Sequence, residues 1–149
     1  MMAENNSCIC ASGAIGRIVF SRIFLEVDLM ASIVKLCSEN KIISGVILDC
    51  IGSLATSPIE GTECMGKASY GLASAEGVVG LAADGNVFAA HLRAIISNVG
   101  DKIFSGHFRT LGIIAKNTVE VIVGELEQIK ITRVFDPNVN GIVSAVSNK

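Results

Sequence analysis

The 149-residue chain predicts an α+β domain: a mostly antiparallel sheet with one main helix near the N-terminus. Three observations lead there. A single stretch, residues 28–40, repeats its apolar residues with helical period, whereas the other apolar runs are rich in Val, Ile and Phe and suit strands. Turn clusters such as Asp84-Gly85-Asn86 and Asn98 to Gly100 separate those runs at hairpin spacing. Hydrophobic residues make up 50% of the chain and charged ones 17%, enough for one core of ordinary size.

The elements follow in order. Residues 1–15 mix small and polar side chains and read as a leader. Gly16 to Val27 reads as a strand with Ile18, Phe20, Arg22 and Phe24 on one side and Val19, Ile23 and Leu25 on the other. Asp28 is a good N-cap for a helix whose Met30, Ile33, Val34 and Cys37 share a face, with Asn40 in the left-handed stop position. Ile42 to Ile51 reads as a strand buried on both faces. Residues 52–77, with Pro58 and several glycines, read as turns around one or two short strands. Strands are then expected at Val78–Ala83, Val87–Ser97, Lys102–Phe108, Leu111–Ala115, Thr118–Gly124 and Gln128–Phe135. Pro137 closes the domain, which spans 16–136, and 137–149 is a tail. With one helix for about seven strands, a sheet face is left uncovered. The sheet must curl toward a barrel, or bury that face against another copy.

Composition removes several classes of function. Twelve Lys plus Arg against fourteen Asp plus Glu give a net charge of −2, which disfavours a module that grips nucleic acid by its backbone. No apolar run reaches the ~18 residues of a membrane helix. No basic residue precedes Arg17, so no signal peptide is expected. Five cysteines, an odd number partly in apolar segments, fit a reduced, cytoplasmic setting. Neither a nucleophile elbow nor a dinucleotide fingerprint is present, and no catalytic residue is assigned.

The two histidines, His91 and His107, fall on the arms of one predicted hairpin. A turn centred on Val99 pairs Ser97 with Asp101, Ile95 with Ile103, Arg93 with Ser105 and His91 with His107, all on one face. Opposite side chains would lie about 4.5–5.5 Å apart at Cβ. The reverse face carries Phe88, Leu92, Ile96, Phe104 and Phe108 for the core. Two imidazoles can share a metal, although a stable site wants three or four ligands. Arg93 cannot ligate, and Glu120 is the carboxylate that could complete or balance the cluster. In the structural alternative, His91 and His107 are hydrogen-bonded interface histidines and Glu120 pairs with Arg93 or Arg22.

At FAAHLRAIISNVGDKIFSGHF (Phe88 to Phe108) the chain resembles the plants-and-prokaryotes conserved (PPC) domain family, whose His-x-His-Ala strand is followed by Gly-Gly-His-Leu. His91-Leu92-Arg93-Ala94 and Ser105-Gly106-His107-Phe108 occupy those places. Phe24 to Cys37, Ile51-Gly52-Ser53-Leu54 and Val119-Glu120-Val121 agree further, so the likeness covers about residues 16–135. The resemblance implies a homotrimer and, in prokaryotic relatives, a metal, commonly zinc, held by three histidines near the subunit interface. This sequence departs at the middle His, which is Arg93, and at the first Gly, which is Ser105. Only His91 and His107 carry over as metal ligands. Arg93, Ser105 and Glu120 remain as ligand-binding residues, either around an anion or with Arg93 replacing the metal's charge and Glu120 as its partner. Plant members add a basic AT-hook with a Gly-Arg-Pro core, which is absent here, and prokaryotic members are often labelled DNA-binding. The expected function is therefore a homotrimeric, DNA-associated or regulatory domain; the alternative is a metal- or small-ligand-binding protein, with an enzyme among the options. Charge opposes direct DNA contact.

Overall fold

The computed structural model describes residues 8–60, 69–98, 102–109 and 112–149, with 89–91 described by backbone alone. Among them are one helix and eight strands. They run β1 (Ala14–Ile23), α1 (Leu29–Glu39), β2 (Gly45–Leu54), β3 (Tyr70–Leu81), β4 (Val87–Ser97), β5 (Ile103–His107), β6 (Ala115–Glu127), β7 (Ile129–Asp136) and β8 (Gly141–Asn148). The main sheet has the order β1-β6-β2-β3-β4-β5, antiparallel throughout. The β7–β8 hairpin joins it through a parallel bridge from Leu81 to Thr132.

Helix α1 begins where the sequence predicts. The Asp28 carboxylate accepts from the Ala31 amide at 2.9 Å, filling one of the donors that a helix start leaves open. Its other oxygen accepts from the Gly112 and Ile113 amides at 2.8 and 3.1 Å, so one side chain caps the helix and ties it to the approach to β6. The expected stop differs by one residue. Asn40 keeps φ −88°, and Lys41 takes the left-handed conformation at φ 57°. Leu29, Ile33 and Cys37 are the buried stripe, with Met30 and Leu36 packed beside them.

The helix touches β1, β6 and β4, although four steps along the sheet separate β1 from β4. The sheet must therefore curl around α1. Its concave side supplies Ile23, Ile47, Cys50, Leu72, Val79, Leu92, Ile96, Val121 and Val123 to one core. Buried in that core, the thiols of Cys37 and Cys50 are pushed up to about 11 and about 12 by desolvation, with the Asp49 carboxylate adding to the effect at Cys50. The curl stops short of closure, and β1 and β5 end the order without pairing to each other.

The convex face is open. Ile18 and Phe20 of β1, Leu48 and Ile51 of β2, Ile95 of β4 and Ile103 of β5 all expose large apolar side chains; Phe20 is 61% accessible and Ile103 74%. The alternation expected for β1 is present, with Val19 and Ile23 toward the core and Ile18 and Phe20 away from it. Strand β2 does not have the two buried faces that its apolar run suggests: no element among the described residues covers Leu48 and Ile51, which stay exposed.

Three further boundaries differ from expectation. Strand β3 starts at Tyr70, so part of the stretch read as turns is strand. Strand β6 runs unbroken through Lys116-Asn117. Residues 141–148, expected within the tail, form β8 in full register with β7.

Candidate functional site

The β4–β5 ribbon carries Arg93, Ser105 and His107 of the predicted cluster, in a register two residues from the expected one. Arg93 stands opposite His107, Ile95 opposite Ser105, Ile96 opposite Phe104 and Ser97 opposite Ile103. The Phe108 amide continues the ladder to the Leu92 carbonyl at 2.8 Å. The predicted pairing of His91 with His107 is thus corrected: the neighbour of His107 is Arg93. A shift of two leaves side-chain alternation intact, so the faces are as expected. Leu92 and Ile96 are buried, Phe104 and Phe108 pack partly against the core, and Arg93, Ser105 and His107 are exposed on the convex side. Phe88 is the exception, lying under the Arg133 guanidinium at 5.7 Å.

His91 lies where β4 bulges. Between the pairs Glu76–Arg93 and Val78–Ala90, one residue of β3, Gly77, stands against two of β4, His91 and Leu92. The side chain of His91 lies outside the described residues, as does Asp101.

Gly106 explains the spacing of the second motif. It is directed to the core side, where a Cβ would come within 3.3 Å of Ile59 Cγ2. The loop bearing Ile59 also anchors the end of the ribbon, because the Pro58 carbonyl accepts from the Arg109 amide at 2.7 Å. Ser105 and His107, on either side of Gly106, are therefore directed outward.

Sequence reasoning missed Glu76. Strand β3 sets it directly opposite Arg93, so Glu76, Arg93 and His107 form one row across β3, β4 and β5. Ser74, Ile95 and Ser105 form the adjacent row. A cleft of about 250 Å³ opens here, lined by Ser74, Glu76, Arg93, Ala94, Ile95, Ser105 and Gly106. The Asp49 carboxylate supports one wall, accepting from Ser74 Oγ at 3.0 Å and from the Cys50 amide at 2.9 Å. Arg93, Glu76 and Ser105 have no side-chain hydrogen bond or ion pair among the described residues, where the ion pairs are Arg17–Glu125 and Lys35–Glu39.

Glu120 is not part of this cluster. It sits on β6 opposite Arg22 of β1 and Ile51 of β2, three strands from β4 and so ~14 Å away along the sheet. The Arg22 guanidinium lies over the Phe24 ring at 5.1 Å. Within one chain Glu120 therefore neighbours Arg22 and not Arg93.

Of the two expected metal ligands, His107 lies in this row and the side chain of His91 is outside the described residues. No group of three His, Cys, Asp or Glu side chains suited to one occurs among the described residues. The centre of the row is a permanent guanidinium, which repels a cation and offers it no lone pair.

Fold and cluster define a class: a curled single-sheet α+β domain with a polar cleft at one end of an open, largely apolar outer face. The chain belongs to the Plants and Prokaryotes Conserved (PCC) domain family, whose model matches residues 10–127. Solved structures share the fold. A plant- and prokaryote-conserved protein of Pyrococcus horikoshii is 24% identical, covering 94% of this chain and 99% of its own, with a TM-score of 0.72. A metal-containing protein of Archaeoglobus fulgidus is 20% identical over 90% of this chain and 96% of its own, at 0.70. A protein of Bacteroides thetaiotaomicron, provisionally named as DNA-binding, is 18% identical over 89% and 94%, at 0.66. No curated protein matches the chain at a significant level. No helix among the described residues is long and apolar enough to cross a membrane.

Proposed function

We infer that the chain is a regulatory domain protein that works as a homotrimer joined through the convex face of its sheet. One observation carries this reading: Ile18, Phe20, Leu48, Ile51, Ile95 and Ile103 expose large apolar side chains on four strands, with no element among the described residues to cover them. Large apolar side chains exposed together on one sheet face mark an interaction site, and closed symmetry is the usual way for identical chains to bury them. Three copies is the closed form that the resemblance to the family implies. Light scattering of the purified chain tests this: a mass three times 15.6 kDa is expected, and a monomer at tens of micromolar would remove the reading.

DNA association is the regulatory role that the name of the Bacteroides neighbour suggests. At −2 per chain a trimer carries three times that charge, which opposes a polyanion. The reading therefore places DNA contact on partner proteins or on a local basic patch. Absence of any anisotropy change with duplex DNA at low salt would exclude the patch and leave the partner route.

The cleft beside Arg93 favours a second reading, binding of a small ligand close to the subunit joint. The convex position of Arg93, Ser105 and His107, at the end of the same apolar face, supports it. On this reading the ligand reports to the assembly, and no catalytic group is required.

A further inference from the structure

We propose that the cleft between β3, β4 and β5 binds a small carboxylic acid bearing a hydroxyl or amino group beside its carboxylate. The proposal rests on the small-ligand reading above and names the chemistry that the site would accept.

Arg93 supplies the first half. A guanidinium with no partner among the described residues presents a planar fork that matches a carboxylate in two parallel hydrogen bonds. Ser105, in the adjacent row on the neighbouring strand, adds a hydroxyl donor with no partner of its own among the described residues. Ser74 contributes differently: its proton is committed to Asp49, so toward the cleft it offers lone pairs.

Glu76 supplies the second half. It is the cross-strand neighbour of Arg93, yet the two side chains do not close into an ion pair. A simple anion placed on Arg93 would meet the Glu76 carboxylate as a like charge. A ligand that donates a hydrogen bond on that side turns the same carboxylate into a partner. Adjacent strands are ~4.8 Å apart, so this donor must lie within a carbon or two of the ligand's carboxylate. The volume of about 250 Å³ admits a compact molecule and falls below the range usual for drug-sized ligands. His107, beside Arg93 on the outer strand, is placed to act as a further donor at the rim.

The test is calorimetric titration of the full chain with L-lactate, L-alanine, propionate, inorganic phosphate and zinc chloride in turn. Lactate or alanine should saturate, and which of the two binds tighter identifies the donor. Propionate should bind at least ~10-fold more weakly, because nothing in it satisfies Glu76. Arg93→Gln should weaken the preferred acid by roughly 30-fold, and Arg93→Lys, which keeps charge but loses the fork, by less. Glu76→Gln should bring lactate and propionate closer together. Both side chains are exposed, and amide spectra of each variant confirm that the fold is retained. Stoichiometric zinc binding without binding of either acid would overturn the proposal. So would phosphate outcompeting both acids, or indifference to Arg93→Gln. Light scattering on the same sample separates the two ideas: an acid bound by a monomer would sink the assembly reading and leave this one standing.

Discussion

Asp28 offers a quantitative test of how the helix is held in the curl of the sheet. Its carboxylate accepts three backbone hydrogen bonds, from Ala31 within α1 and from Gly112 and Ile113 outside it. Asp28→Ala removes all three. Loss of the cap costs about 1 kcal/mol. Each remaining bond to an ionised acceptor, partly open to water here, contributes about 1 kcal/mol. The sum is about 3 kcal/mol, or a fall of about 6–12 °C in Tm for a chain of this length. Asp28→Asn separates the contributions. Its amide oxygen can still accept from Ala31, but its NH2 group faces the Gly112 and Ile113 donors and cannot accept from them. Asparagine should therefore cost about 2 kcal/mol and alanine about 3. Urea denaturation monitored by circular dichroism measures both. If asparagine is as stable as the parent, the bonds to residues 112 and 113 do not fasten the helix, and the reasoning fails.

Two further predictions concern buried groups. The Cys37 and Cys50 thiols have folded pKa values near 11 and 12, against about 9.0 when exposed. Their neutral forms thus support the fold fully below pH 9, and that support is lost as the pH rises from 9 toward 12 while only the unfolded chain ionises. Stability should fall by about 2 kcal/mol between pH 9 and 10 relative to a Cys37→Ala/Cys50→Ala variant, and an equal slope in both proteins would refute the assignment. Native chain at pH 8 should label at Cys8 and Cys10, which are exposed, and leave these two thiols unreacted until denaturant is added. The Ser44 hydroxyl is fully buried with no hydrogen-bond partner among the described residues. Ser44→Ala should therefore leave stability unchanged or raise it by about 1 kcal/mol, and a loss of that size would reveal a partner.

What could be read in the sequence, and what could not, follows from what each signal encodes. The limits of β4 and the start of α1 were legible because a run rich in Val, Ile and Phe between two turn clusters, and Asp28 ahead of an apolar period, act locally. The first half of β3 was hidden because Gly71, Ala73, Ser74, Ala75 and Gly77 carry little strand preference. Its pairing with β2 and β4 imposes the conformation. Strand β8 was hidden for the same reason: GIVSAVSN reads as a tail until β7 lies beside it. The ribbon register was missed by two residues. Apolar alternation distinguishes the two faces, so it forbids a slip of one and is blind to a slip of two. The site inherited that error. Arg93, Ser105 and His107 were expected together and are together. Glu76 was overlooked inside a segment read as turns, and Glu120, singled out for its charge among apolar neighbours, lies strands away beside Arg22.

Self-assembly through the convex face is the claim on which the functional reading turns, and sedimentation equilibrium of the parent chain beside an Ile51→Glu variant addresses it most directly. Ile51 stands near the middle of the open surface, 48% exposed and away from the core. A carboxylate there should leave the fold intact and make burial of the face prohibitive. The account predicts three chains per particle for the parent and one for the variant, with matching circular dichroism spectra. A trimer that survives the substitution would contradict it, as would a parent chain that sediments alone.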